Sequence, residues 1–352
     1  FMRRDVDRLA RLMTLEQGKP LAEARGEIAY AASFLDMAAE EGRRLTGEII
    51  PASAPDKRIL VLRQPVGVTA IITPWNFPAA MITRKLAPAL GAGNTVVIKP
   101  PKQTPLTALR IAELLEGIGL PPGVLNVVPT ASSGDWFDAA VDNPSTRMVS
   151  FTGSTEVGRV LLRRCADRVL KTVMELGGNA PFVVFADADV EAAVEGAMVA
   201  KMRHSAETCT AANRFYVEEP VAEEFTRALA EAMAEVKVGN GFEADTTCGP
   251  VIDAGALADI DALVKGALSE GATAVLDGGP REGPGFFFEP TVLGGVAHGS
   301  AITRAEIFGP VAPVIPFTDT EQMIDHANDT EMGLTGYVYT GDLARGLRVS
   351  ER

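Results

Sequence analysis

The chain has few of the side chains on which metal sites and disulfide frameworks depend. Among its 352 residues there are three cysteines, Cys165, Cys209 and Cys248, widely spaced and odd in number. That argues against a disulfide scaffold or a cysteine-based zinc site and fits a reducing cytoplasm. Three histidines leave little material for a histidine-based metal site or triad, so no metal is expected. No apolar run approaches the ~18–20 residues that span a bilayer. Positive charge is also in deficit: 33 Lys and Arg stand against 46 Asp and Glu, a net charge of −13. Nucleic-acid binding needs basic patches to neutralise phosphates, and none is present. The short basic run from Arg159 to Arg164 falls in a helical pattern and reads as a solvated face. No signal peptide is evident. Because residue 1 opens directly into a helical pattern and "RVSER" ends one, the native chain is expected to extend at both ends.

Apolar residues are plentiful, 47% of the chain, enough for two α/β cores. Helical spacing marks residues 4–17, with Val6, Leu9, Leu12 and Met13 on one face. A second helix follows "GKP" and runs to Gly42. Residues 46–64 read as an extended arm with a strand at 58–63, either a surface hairpin or an edge that pairs with another subunit. From Val66 the pattern is strand, loop, helix, repeated. Strands are expected at "VTAIIT", "NTVVIKP", "GVLNVV", "MVSFTG" and "LKTVMELG", with helices at 81–90, 105–117 and 156–165. That alternation predicts a parallel, doubly wound sheet with its ligand crevice at the strand carboxyl ends. A second α/β unit opens at "APFVVF". Its helix is expected over 190–205, capped by Asp187 or Asp189, and further elements lie at 220–236, 252–271, "TAVLDGG", "VAPVIPF" and "GYVYTG".

The strand-end loops carry the candidate chemistry. "FTGSTEVG" is either a tight turn or a helix N-terminus that meets phosphate, and it lacks the G-x-G-x-x-G fingerprint. Lys99 ends a buried strand and must find solvent, a ribose or a phosphate, and Lys102 adds a second positive charge. Cys209 in "ETCTAANRF" is a candidate nucleophile, which needs a base or a lowered pKa. His204 is near in sequence, but a lone histidine in a helical pattern reads as packing or surface. Glu175, at a strand end before Gly177-Gly178, is the better base, with a structural salt bridge as the plain alternative. Asn76 in "PWNFP", fixed between two prolines, is either an oxyanion donor or an Asx-turn.

Together and in order, "PWNFP", "KPPKQTP", "FTGSTEVG", "ELGGNAPF", "ETCTAANRF", "GPVID", "EIFGPV" and "NDTEMGLTGYVYT" resemble the aldehyde dehydrogenase superfamily along the whole chain. "LMTLEQGKPLAEARGEIAYAASF" and "NFPAAMITRKLAPAL" are similar to its succinate-semialdehyde dehydrogenase branch. The resemblance implies two doubly wound α/β domains and a β arm. A Rossmann-like nucleotide-binding domain is expected over 1–46 and 65–175, an oligomerisation arm over 47–64, and a catalytic domain over 176–352. It implies Cys209 as nucleophile, Glu175 as general base and Asn76 as oxyanion donor. Lys99 matches the ribose-binding lysine, Gly153 and Ser154 lie by the pyrophosphate, and Glu306 and Phe308 hold the nicotinamide end. Thr73, Pro74, Trp75 and Leu176 are placed along the cofactor by the same resemblance. Arg84 and Arg203 match the arginines that take the distal carboxylate of the substrate.

The activity so implied is NAD(P)-dependent oxidation of an aldehyde to an acid through a cysteine thioester, with succinate semialdehyde foremost. Glutarate semialdehyde or another short ω-carboxylic aldehyde is the alternative, and a non-catalytic structural member is the alternative of another class. Lys102, where NAD-using members often carry glutamate, implies a preference for NADP with NAD also used. A cytoplasmic homodimer or homotetramer is expected. Two departures stand out. Ala206-Glu207 replaces the usual glycine–glutamine before the cysteine, so a backbone that glycine leaves free is restricted. Glu207 is expected to bring negative charge near the thiol. Ala211 also stands where close relatives often carry a second cysteine.

Overall fold

The computed structural model describes residues 1–352, which divide into two compact units. The first comprises residues 1–17 and 21–176, the second residues 18–20 and 177–352.

In the first unit, helices α1 (Val6–Gln17) and α2 (Leu21–Gly42) precede a two-stranded hairpin, β1 (Glu48–Ile50) and β2 (Ile59–Val61). The pair is antiparallel, and Ile49, Ile50, Ile59, Leu60 and Val61 are all exposed. Then follow β3 (Val68–Ile72), α3 (Ala80–Gly91), β4 (Thr95–Lys99), α4 (Pro105–Gly117), β5 (Leu125–Val127), α5 (Ser133–Asp142), β6 (Thr146–Thr152), α6 (Thr155–Ala166) and β7 (Lys171–Glu175). The last five strands form one parallel sheet in the order β5-β4-β3-β6-β7. Strand side chains alternate between its faces. Ile71, Val96 and Ile98 pack with Leu9, Met13, Ile28, Ile82 and Leu86 of α1–α3. Ala70, Ile72, Val149 and Phe151 pack with Phe137, Val141, Leu161 and Cys165 of α5 and α6. Both faces are covered, as a parallel sheet requires. The order reverses between β3 and β6, so the switch point lies between their carboxyl ends.

The second unit contains β8 (Ala180–Val184), α7 (Val190–Met202), β9 (Ala212–Glu218), α8 (Glu219–Ala234), α9 (Ala254–Ser269), β10 (Thr273–Leu276), β11 (Gly279–Pro280), β12 (Phe288–Glu289), β13 (Thr291–Gly294), α10 (Ala301–Arg304), β14 (Val311–Phe317), α11 (Thr320–Asn328), β15 (Tyr337–Tyr339) and α12 (Leu343–Ser350). Its six-stranded sheet runs β10-β13-β14-β9-β8-β15, parallel except for β10. Phe182, Phe215, Val217 and Val314 face α7 and α8. Val183, Tyr216, Ile315 and Phe317 face the other side, with Ile260, Val264, Met323 and Ile324 of α9 and α11. This unit is doubly wound as well. Asp189, Asp253, Asp319 and Asp342 accept backbone N–H bonds at the starts of α7, α9, α11 and α12. No helix is long and apolar enough to cross a membrane.

One expectation is corrected. The helix expected to reach Ser205 ends at Met202, because His204 and Ser205 have positive φ and cannot continue a right-handed helix. Of the two caps expected for α7, Asp187 or Asp189, Asp189 is the one that serves; Asp187 binds Thr340 and Arg345.

Candidate active site

In the first unit the candidate residues gather at the carboxyl ends of the parallel strands. Thr73, Pro74, Trp75 and Asn76 follow β3, Lys99 ends β4, Gly153 and Ser154 follow β6, and Glu175 ends β7. The loops after β3 and β6 flank the switch point. Backbone bonds tie these ends together: Thr73 N–H donates to the Lys99 carbonyl (3.4 Å) and Gly153 N–H to the Glu175 carbonyl (3.1 Å). Thr104 Oγ1 donates to the Trp75 carbonyl (3.4 Å), and Asn76 is buried.

Ser154 Oγ caps α6 by accepting from Val157 N–H. A Cβ on Gly153 would lie 2.5 Å from the Phe151 ring, so this turn has no room for a side chain. Leu176 packs where Gly158 lacks one. Lys99 is buried, its Nζ donating to the Pro100 carbonyl (3.3 Å), and burial lowers its pKa. Lys102 is exposed. A lysine at the end of β4 and a capped helix N-terminus after β6, on either side of β3, are suited to ribose and phosphate oxygens.

Arg84 lies on α3. Its Nη2 donates to Tyr30 Oη (2.8 Å), and its guanidinium sits 5.1 Å from the Phe34 ring centroid, both on α2. It lines a cavity of about 390 Å³ with Lys85, Ser150 and Glu175. Lys85 was not signalled by the sequence. Its Nζ donates to Ser150 Oγ (3.0 Å) and the Phe151 carbonyl (3.1 Å). Burial lowers its pKa to about 8, against the opposing pull of the Glu175 charge.

In the second unit Cys209 follows a turn of unusual backbone. His204, Ser205 and Ala206 have φ of 54°, 55° and 65°, three left-handed residues in succession with no glycine. Arg203 opens this turn, exposed, rather than lying within a helix that continues to Ser205. His204 is buried, and its Nδ1 lies 2.9 Å from Lys19 Nζ. Burial, with the charges of Lys19 and Arg203, lowers its pKa to about 2. A neutral imidazole of that kind cannot take the thiol proton near neutrality, which excludes it as the base for a physical reason. Glu207 is fully buried, and its Oε1 accepts the Ile252 N–H (2.9 Å). The residue expected to act on the thiol through its charge therefore also serves as a backbone tie.

The thiol itself is partly exposed. A Cβ on Gly178 would lie 2.4 Å from the Cys209 carbonyl, so only glycine lets these backbones approach. Tyr337 Oη donates to the Thr210 carbonyl (2.8 Å). Glu306 lies against the same glycines: its Oε1 accepts Gly178 N–H (3.3 Å), and its Oε2 is 2.5 Å from where a Gly177 Cβ would sit. Phe308, at φ 52°, follows in the same loop. Cys209, Glu306 and the two glycines thus form one cluster.

The sequence matches the aldehyde dehydrogenase family over residues 1–352. The chain belongs to the aldehyde dehydrogenase family. Among relatives in this family, the glutarate-semialdehyde dehydrogenase of Pseudomonas aeruginosa is 53% identical over 352 residues, all of this chain and 73% of that protein. The NADP(+) succinate-semialdehyde dehydrogenase GabD of Escherichia coli K12 is 51% identical over 351 residues, all of this chain and 73% of that protein. The solved aldehyde dehydrogenase fold of succinate-semialdehyde dehydrogenase from Burkholderia pseudomallei superposes with a TM-score of 0.97 at 48% identity. That match covers 99% of this chain and 72% of the other.

Proposed function

We propose that the protein oxidises a short ω-carboxylic aldehyde, foremost succinate semialdehyde, to the acid with NADP or NAD. The observation that carries this reading is the partly exposed Cys209 held after a fixed left-handed turn, in a chain about half identical to semialdehyde dehydrogenases. The first unit is the nucleotide-binding domain, the second the catalytic domain. The exposed apolar hairpin β1–β2 is the arm through which copies of a cytoplasmic homodimer or homotetramer pair.

The residues at the carboxyl ends of the first unit's strands fit a dinucleotide. Gly153 presents bare backbone at the N-terminus of α6, Lys99 meets a ribose, and Lys102 sits where a 2′-phosphate would be favoured over free hydroxyls. Thr73, Pro74, Trp75 and Leu176 line the cofactor, and Glu306 and Phe308 hold its nicotinamide end. When bound, the dinucleotide accepts a hydride. The protein's residues supply the rest. The Cys209 thiolate attacks the aldehyde carbonyl carbon and forms a C–S bond. Asn76 and the Cys209 N–H hold the oxyanion. Loss of hydride collapses this adduct to a thioester. Glu175 takes a proton from water, whose oxygen attacks the thioester carbonyl; the C–S bond breaks and the acid leaves. Arg84 and Arg203 hold the distal carboxylate.

The P. aeruginosa relative's name favours a second reading, glutarate semialdehyde, one methylene longer. Measuring kcat/KM for C3–C6 semialdehydes with each cofactor decides between them. A maximum at C4 supports succinate semialdehyde and one at C5 glutarate semialdehyde. Equal rates with uncharged aldehydes would contradict both.

A further inference from the structure

The three residues between α1 and α2, Gly18, Lys19 and Pro20, belong to the second unit and form a strap within it. The fit is close. A Cβ on Gly241 would lie 2.4 Å from the Lys19 carbonyl, and one on Gly249 2.4 Å from the Gly18 carbonyl. Gly18 itself has φ +96°, and a Cβ there would meet Pro250 at 2.6 Å. Four glycine and proline positions therefore fix the strap's backbone against the segment 241–250.

Lys19 is fully buried, and its Nζ ends 2.9 Å from His204 Nδ1. A buried amine is costly unless hydrogen-bonded, and His204 Nδ1 lies within hydrogen-bond reach of Lys19 Nζ. The imidazole is neutral with Nδ1 as the acceptor, in line with its depressed pKa. The turn it belongs to is strained. Three left-handed residues without glycine cost roughly 1–2 kcal/mol each. Such a backbone persists only where its surroundings over-determine it. The ties are present. Lys19 holds His204, Ser205 Oγ accepts Gly249 N–H (2.7 Å), and Glu207 Oε1 accepts Ile252 N–H (2.9 Å). Strap, turn and the 249–252 loop thus form a closed circuit, and Cys209 stands two residues beyond it.

We propose that Lys19 is a positioning residue for the nucleophile: through neutral His204 it pins the left-handed turn that sets the place and direction of the Cys209 thiol. This rests on the reading of Cys209 as the nucleophile. Misplacing a reacting atom by about 1 Å can cost on the order of 100-fold in rate. Lys19 does so without touching substrate or cofactor.

The test is Lys19→Met, followed by the rate of Cys209 alkylation by iodoacetamide from pH 6 to 10, with peptide mapping, and by steady-state kinetics. The expected result is alkylation and kcat both at least tenfold lower, with KM for the dinucleotide within twofold of wild type. A folded Lys19→Met with wild-type alkylation and kcat overturns the proposal. The double variant Lys19→Met/His204→Leu guards against misfolding, because replacing both partners by apolar groups leaves neither unsatisfied. It should fold and stay slow to alkylate; full recovery of the alkylation rate overturns the proposal too. Failure of the nucleophile reading is separable. Cys209→Ala with full dehydrogenase activity would defeat that reading, while the alkylation comparison at position 209 would stand.

Discussion

Lys201 sits in the last turn of α7, fully buried, with Nζ donating to Asn213 Oδ1 on β9 at 3.3 Å. Burial lowers its pKa from the ordinary 10.5 to about 7, so folding favours the neutral amine. Between those two values the unfolded chain binds more protons than the folded one. Stability therefore rises with pH across that window, and the burden is fullest below pH 7. At about 1.4 kcal/mol per pH unit, the burden at pH 7 is on the order of 4 kcal/mol. Lys201→Met keeps the apolar stem and removes the charge. It also leaves Asn213 Oδ1 without this donor, which costs about 1–2 kcal/mol. The variant is therefore expected to be more stable than wild type by roughly 2–3 kcal/mol at pH 7, a gain that disappears near pH 10. Lys85, whose pKa is also lowered, titrates in both proteins and cancels from the difference. Urea unfolding of both proteins at pH 7, 8.5 and 10 measures it. A difference that stays constant with pH, or a variant less stable at pH 7, would refute the buried-charge argument.

Three further outcomes are expected. Lys102→Glu should shift the ratio of kcat/KM for NADP over NAD towards NAD by at least tenfold, since a carboxylate repels a 2′-phosphate; an unchanged ratio removes Lys102 from cofactor choice. Arg84→Met should raise KM for succinate semialdehyde by roughly 10–100-fold, the worth of a charge-assisted hydrogen bond, and leave KM for an uncharged aldehyde unchanged. Equal effects on both aldehydes would assign Arg84, bound to Tyr30 and stacked near Phe34, to packing instead. Gly178→Ala should lower kcat about 100-fold, because its methyl would press on the Cys209 carbonyl and shift the nucleophile; near-normal kcat would show that the contact relaxes freely.

Much of the fold was legible because its strands end in marked loops. The five strands of the first parallel sheet and the helices α2, α3, α4 and α6 follow their apolar patterns closely. Other elements hid behind mixed signals. Strand β9, central in the second sheet, begins "ANR": its Asn213 and Arg214 are fully buried, but only through bonds to distant groups, Lys201 for one and the carbonyls of Asn179, His326 and Ala327 for the other. Periodicity cannot foresee such partners. Helix α5 was hidden by the glycine and acidic residues in "SGDWFDAAVD".

The site divides in the same way. Candidates at strand ends fall where the alternation put them. The backbone around Cys209 did not announce itself, because "HSA" contains no residue that usually signals a left-handed turn. The role of Lys19 was equally silent, since its partner lies 185 residues away.

The central claim is covalent oxidation on Cys209. Rapid mixing of the protein with NADP and succinate semialdehyde, followed by absorbance of the reduced cofactor, tests it most directly. Glu175→Gln should give a burst of one NADPH per Cys209 and then little turnover, because the thioester forms but is not hydrolysed; Cys209→Ala should give none. Steady NADPH production by Cys209→Ala, or no burst from Glu175→Gln with its binding intact, would contradict the account.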